Sequence, residues 1–323
     1  MVQIDLITGF LGSGKTTFIK KYVRYLTAQG LRVGILENDY GAVNVDVMLL
    51  NELTDENCEI EMVAGGCCKD CHQRRFKTKL IAMGMSGYDR VIVEPSGIYD
   101  VDEFFDALRE EPLDSWYEIG NVIAIVDAKL EDNLSDEADY LLASEAACAG
   151  CLVISKSQEA THEEVQNTIA HVNRALKKIR CGRVFPESIP VSESGDTLAD
   201  RHILCKNWDD FTPEDFASLR SCGYVNEDYV KMDPDEEEFQ SVYFLNIRIS
   251  EEKLLSAAKG ILNDPACGDV FRIKGFIRTG ETAWLQLNAT RQEITAEPIS
   301  VGQEVIIVIG EHLVNDAIEA HFS

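Results

Sequence analysis

Two short stretches carry residue types at spacings that chemistry uses, 9-GFLGSGKTT-17 and 65-GGCCKDCH-72. The first fits G-x-x-x-x-G-K-[ST], and it follows the apolar run IDLI and precedes a helical pattern, the setting this loop requires. Gly9, Gly12 and Gly14 let the backbone curl so that its N–H groups point at phosphate oxygens. Ser13 and Thr17 belong to the same cradle, and the following helix N-terminus adds positive partial charge. Lys15 has the reach for β- and γ-phosphates, and the Thr16 hydroxyl is a ligand type for Mg²⁺. A second phosphate-proximal element is 91-VIVEPSG-97. There Glu94, at a strand end, can hold the water shell of Mg²⁺ or orient an attacking water, and the Gly97 amide can sense a γ-phosphate.

The second stretch places three thiols and an imidazole within six residues: Cys67, Cys68, Cys71 and His72. Cys68 and Cys71 have the C-x-x-C spacing of metal-binding turns, with Cys67 adjacent. Three sulfurs suit Zn²⁺ or another thiophilic transition metal such as Cu(I), with His72, Asp70 or a carrier ligand in the fourth place. An open fourth place suits transfer better than storage. Two other chemistries remain open for the same thiols: an iron–sulfur cluster shared between two subunits, and a redox pair at Cys68 and Cys71.

These residues need a scaffold, and the pattern around them describes one. From Val2 to about Pro190 short β-rich runs (QIDLI, RVGILEN, YDRVIVE, NVIAIVD, CLVISK, RVFPESIPV) alternate with helical patterns at residues 15–29, 72–85 and 161–178. That alternation predicts an α/β fold, a P-loop nucleotide-binding domain with a mostly parallel sheet flanked by helices. Periodicity fades before 233-DPDEEE-238 and returns at Phe239 as strand, helix, three strands and a last helix. The expected organisation is a nucleotide-binding domain at 1–195, an acidic linker region at 196–238 and a small C-terminal α+β domain at 239–323.

Composition bounds the partners. With 323 residues and 45% hydrophobic content the chain can fill two cores. A formal charge of -26, from 56 acidic and 30 basic side chains, repels nucleic acid and anionic lipid, so neither is an expected partner. The N-terminus lacks a positive n-region, and the longest apolar runs are too short to span a bilayer. A cytoplasmic location follows as the expectation, where 10 cysteines stay reduced and a tight cluster reads as a metal or redox site.

Taken in order, GFLGSGKTT, 38-NDYGAVNVD-46, the cysteine cluster, VEPSG, 126-VDA-128, 152-LVISKSQ-158 and 271-FRIKGF-276 resemble the CobW family of P-loop GTPases, which are associated with metal delivery. The resemblance spans nearly the whole chain. It implies a switch segment containing Asn38, Asp39 and Asp46, a catalytic set of Lys15, Glu94 and Asp46, and a base pocket in which Ser155, Lys156 and Gln158 face the purine. Two departures stand out. The family reads N-K-x-D where this chain has Ser155-Lys156-Ser157-Gln158, and G-C-x-C-C where it has Cys67-Cys68-Lys69-Asp70-Cys71. A neutral amide replaces a carboxylate worth roughly 1.5–3 kcal/mol per charge-assisted bond to guanine, so GTP preference is expected to weaken and ATP to compete. The implied function is an Mg²⁺-dependent nucleoside triphosphatase, GTP first, that couples hydrolysis to delivery of a zinc-type metal to a recipient apoprotein, with a homodimer as one assembly. The alternative is a nucleotide-sensing adaptor with negligible turnover.

Overall fold

The apolar runs of the first unit assemble into one seven-stranded sheet whose pairings among the described residues are all parallel: β1 (Val2–Thr8), β2 (Val33–Asp39), β3 (Cys58–Ala64), β4 (Arg90–Pro95), β5 (Tyr117–Asp127), β6 (Cys151–Ser155) and β7 (Ile203–Cys205). The computed structural model describes residues 1–39, 49–65, 69–97, 99, 101–186, 202–231, 239–280, 283–299 and 302–322. The chain divides into two units, Met1–Met232 and Asp233–Ser323.

Strand order in the first sheet is β3-β2-β4-β1-β5-β6-β7. Successive connections from β1 run first to one side and then to the other, so the order reverses beside β1. In such sheets ligands bind at the carboxyl ends of the strands near that reversal. Every residue of β4 and β6 is buried, as helices on both faces demand. The helix Lys15–Ala28 turns Phe18, Ile19, Tyr22, Val23 and Leu26, spaced three and four apart, onto Ile7, Ile35, Ile92 and Ile123 of the sheet. Truncating an aromatic at such a place costs about 3–5 kcal/mol, so the loop ahead of this helix rests on a stiff base.

A buried charge locks the middle of β1. Asp5, with no exposed surface, accepts from Arg90 Nη1 on β4 at 2.6 Å, from Tyr22 Oη at 3.0 Å and from Asn121 Nδ2 on β5 at 2.9 Å. Removing one partner of a buried charge of this kind costs about 3–5 kcal/mol, because the remaining charge stays dry and uncompensated.

Several elements depart from the periodicity reading. The seventh strand is Ile203–Cys205, paired to β6 through Leu152 and Ile203, and residues 183–186 of RVFPESIPV form no strand. Pro186 and Pro190 in that run remove ladder donors. Residues 203–231, expected in a linker, lie in the first unit. β3 and the helices Val101–Leu108 and Asp136–Ala147 were not among the expected elements. Asp136–Ala147 is buried over ten of its twelve residues, so it has no polar face to give a 3.6-residue period.

The second unit is an antiparallel sheet in the order β11-β10-β9-β12-β8, formed by β8 (Phe239–Leu245), β9 (Asp269–Arg278), β10 (Trp284–Ala289), β11 (Ile294–Ile299) and β12 (Val305–Glu311). Burial alternates along β10, the signature of one covered face. The helix Glu251–Asn263 covers that core with Leu254, Ala258, Ile261 and Leu262 against Ile273, Ile277, Leu287 and Val308. A last helix, Asn315–Ala320, closes the unit. Among the described residues no helix is long and apolar enough to cross a membrane.

Candidate functional site

β1 ends at Thr8 between β4 and β5, and the loop that follows can only be built with glycine. At Gly9, φ is +149°, and a Cβ there would lie 2.3 Å from Ile125 O and 2.7 Å from Ser13 Oγ. Gly12 and Gly14 also have positive φ, and Gly14 caps the helix Lys15–Ala28 in the left-handed region. The result is a concave strip of backbone N–H groups at a helix N-terminus, which suits an anion of phosphate size. Lys15 is buried, and its Nζ donates to Gly9 O at 2.6 Å, so the ammonium is folded over the loop it would share with a phosphate. Ser13 is buried within the loop and Thr17 is exposed on the first turn.

A second group of polar side chains beside the loop is assembled across the sheet. Thr16 Oγ1 donates to Glu94 Oε1 at 2.7 Å, joining the helix start to the carboxyl end of β4. Glu37 on β2 stands in register with Glu94, and both carboxylates are buried. Equal register in a parallel pair points two side chains to the same face. Sequence reading missed Glu37, because a lone acid at a strand end has no local motif. A hydroxyl and buried carboxylates form the oxygen donor set that Mg²⁺ takes. Gly97 closes the loop, since a Cβ on it would approach Leu11 N to 3.0 Å.

At the far end Asp127 and Ser155 are register partners on β5 and β6. Lys156, with φ +52°, pairs with Asp127 at 2.8 Å, and Ser155 is buried with its hydroxyl donating to Val126 O at 3.3 Å. Gln158 is exposed on the turn Ser157–Glu159, where its Nε2 donates to Glu159 at 3.2 Å. Trp208, from the stretch expected to be a linker, joins this end. A Cβ on Gly14 would meet its Cη2 at 3.0 Å and Ser155 Cβ at 4.0 Å, so the indole lies beside the P-loop and the end of β6.

Beneath the loop lies an acid that sequence reading also missed. Glu145 is buried on Asp136–Ala147 and accepts from Thr8 Oγ1 at 3.2 Å. Burial pushes its carboxyl up to about 8, against the opposing charge of Lys15. The available signal was a charged residue inside the apolar run LLASEAA.

The thiol stretch is described in part. Cys67, Cys68 and Asp46 lie outside the described residues, as does the Asp39 side chain, although the Asp39 backbone ends β2. Cys71 is half-buried on the first turn of Lys69–Gly84. His72 is buried, with Nδ1 3.0 Å from Gly65 O and Nε2 2.8 Å from Asn38 Oδ1. Two oxygens facing one imidazole require either a second ring proton or a reversed Asn38 amide. Reversal keeps the ring neutral and lets Asn38 Nδ2, otherwise without a partner among the described residues, donate to Nε2. With both nitrogens engaged, His72 acts here as a brace between β2 and the thiol-bearing helix, and ligation would require breaking one contact. Asn38 continues the link, because its carbonyl accepts from Ser96 N at 2.8 Å, two residues beyond Glu94.

Comparison with known proteins bears on this arrangement. The model of the CobW/HypB/UreG nucleotide-binding domain matches residues 3–185. Zinc chaperone YeiR of Escherichia coli (strain K12) is 28% identical over 167 residues, covering 51% of this chain and 50% of the relative. Zinc chaperone YjiA of the same organism is 26% identical over 183 residues, covering 53% and 55%. Zinc-regulated GTPase metalloprotein activator 1 of Schizosaccharomyces pombe is 26% identical over 187 residues, covering 56% and 44%. The chain thus spans about half the length of the curated relatives it matches. Among solved structures, Zn(II)-bound YjiA GTPase from E. coli aligns over 99% of this chain and 98% of that one, at 17% identity and a TM-score of 0.34.

Proposed function

Because this chain belongs to the CobW/HypB/UreG family, its nucleotide-binding domain being matched over residues 3–185, we propose that it is an Mg²⁺-dependent nucleoside triphosphatase that couples nucleotide state to the binding and delivery of a zinc-type transition metal. The observation that carries the reading is the 2.7 Å bond from Thr16 to Glu94, which brings the P-loop hydroxyl and a buried carboxylate together at the mouth of the phosphate cradle. The loop amides and Lys15 bind the β- and γ-phosphates, with Lys15 exchanging Gly9 O for phosphate oxygens. Thr16 and Glu94 would hold Mg²⁺, Glu94 through the ion's water shell. When bound, Mg²⁺ offsets the charge that develops on the transferring phosphoryl group. Glu94, with Asp46, orients the attacking water, and the Gly97 amide lies close enough to the loop to sense the γ-phosphate.

The cargo is held by Cys67, Cys68 and Cys71, and coupling runs through Asn38. A γ-phosphate that draws in the end of β4 moves Ser96, and the Ser96–Asn38–His72 link carries the shift to the start of the thiol helix. Triphosphate and diphosphate then set different metal affinities, and the effect is reciprocal. GTP is the first substrate. Gln158 leaves guanine without a carboxylate partner and lets ATP compete. A recipient apoprotein in the cytoplasm takes the ion, and the C-terminal unit recognises it.

The test is phosphate release under multiple turnover with GTP and with ATP, alongside Lys15→Ala. Turnover that Lys15→Ala lowers at least about a hundredfold, with ATP binding within about tenfold of GTP, is the expected result. Equal low rates in both proteins would favour the non-catalytic adaptor, and a hundredfold GTP preference would overturn the role given to Gln158.

A further inference from the structure

The C-terminal unit contains a donor cluster that neither the nucleotide site nor the thiol stretch accounts for. We propose that Asp264, Cys267 and His321 form a second transition-metal site, of the Zn²⁺ class, that pins the last helix to the unit's core. The site is independent of the nucleotide reading given above.

The geometry is nearly that of a ligand set. One ligand atom from each of the three residues lies within 4.8 Å of the others, and His321 Nε2 stands 3.2 Å from Asp264 Oδ2. Tetrahedral Zn²⁺, with sulfur at about 2.3 Å and nitrogen or oxygen at about 2.0–2.2 Å, holds its donors roughly 3.3–3.7 Å apart. A contraction of about an ångström therefore closes the cluster. The donor types agree as well: one thiol, one imidazole and one carboxylate form a mixed set that Zn²⁺ and Co²⁺ accept and Mg²⁺ does not favour.

Each donor is held in place by something other than a metal. Asp264 caps the turn Pro265–Cys267, its Oδ1 accepting from Ala266 N at 2.9 Å, which leaves Oδ2 turned to His321. Cys267 is fully buried, and its backbone N–H donates to Asp264 O at 3.0 Å. The His321 ring lies on the helix Glu251–Asn263 at Gly260, where a Cβ would fall 2.7 Å from Nδ1. Only a residue without a side chain at 260 lets Nδ1 rest there and sends Nε2 to the cluster. Such orientation of ligands by surrounding groups is what metal sites require.

Three segments meet at the cluster: the end of Glu251–Asn263, the turn Pro265–Cys267 and the last helix. Val314 N–H donates to Cys267 O at 3.1 Å, and Phe322 stacks edge-on with Phe244 at 5.1 Å, so the chain on both sides of the last helix is already anchored. An ion enters from the side of Asp264 and His321, which are 39% and 26% exposed, and reaches a thiol on the dry side. On binding, the thiol gives its proton to solvent, and three protein donors leave the fourth position for water or an incoming ligand.

Co²⁺ is the probe, and the full chain carrying Cys67→Ser, Cys68→Ser and Cys71→Ser is the background. The expected result is one equivalent of Co²⁺ bound, with thiolate charge-transfer and tetrahedral ligand-field absorption. Cys267→Ser should abolish the charge-transfer band, and His321→Gln or Asp264→Asn should weaken binding at least tenfold. Absence of a thiolate band in the background protein, or its survival in Cys267→Ser, would overturn the proposal. If Cys267→Ser does not fold by circular dichroism, His321→Gln decides, because its residue is partly exposed, and unchanged affinity there overturns the proposal equally.

Discussion

The phosphate loop of the first unit and the Asp264, Cys267 and His321 cluster of the second are built in opposite ways. In the loop, nine consecutive residues make their own geometry, since glycines at positive φ fold the backbone before any distant contact is needed. In the cluster, residues separated by up to 57 positions meet only because the last helix packs where it does. A contiguous site tolerates change elsewhere in the fold, whereas an assembled site reports on the packing that assembles it.

The largest effect that sharpens this contrast belongs to Lys15. Lys15→Ala should lower phosphate release at least about a hundredfold while leaving Co²⁺ absorption at Cys267 unchanged, because the two sites lie in separate units. A cobalt spectrum that changed with Lys15 would break the comparison.

Next comes Glu145, which the fold places beneath the phosphate loop. Its carboxyl titrates at about 8 in the folded protein against an ordinary 4.5, with burial as the leading cause. Between those values the folded state holds a proton that the unfolded state has released. Stability contributed by the neutral acid is therefore lost as pH rises through this window. Glu145→Gln should remove that loss, leaving the variant more stable than wild type at pH 8.5 by about 1–3 kcal/mol. Thermal melts across pH 5–9 decide it, and parallel curves for the two proteins would refute it.

A smaller effect is expected at Gly260. Alanine there gains about 1 kcal/mol of helix propensity but drives the His321 ring off its seat. Gly260→Ala should weaken Co²⁺ binding about tenfold with no change in phosphate release. An unchanged affinity would show that the ring reaches the cluster by another route.

The same contrast explains what could be read before the structure. Gly9 to Thr17, the Glu94 strand end and the sheet strands from β1 to β6, β3 excepted, were legible because local pattern fixes each of them. Trp208 was not, since it reaches Gly14 from beyond β7, in a stretch whose acidic, aperiodic character resembled a linker. Glu145 was hidden for a different reason: a helix buried on all sides has no polar face against which an acid stands out. His72 was legible as a member of the thiol cluster but not as a brace, because its partner Asn38 is 34 residues away.

The most direct test of the account is the Zn²⁺ affinity of the reduced protein, carrying Asp264→Asn and His321→Gln to leave the second cluster a single donor, by competition with a chromophoric chelator. It is measured with and without Mg²⁺ and a non-hydrolysable GTP analogue. The account predicts a nucleotide-dependent shift of at least tenfold, about 1.4 kcal/mol of coupling, that disappears in Lys15→Ala. Identical affinity in the presence and absence of nucleotide would contradict it, and would mean that the thiols at 67, 68 and 71 are not controlled by the phosphate loop.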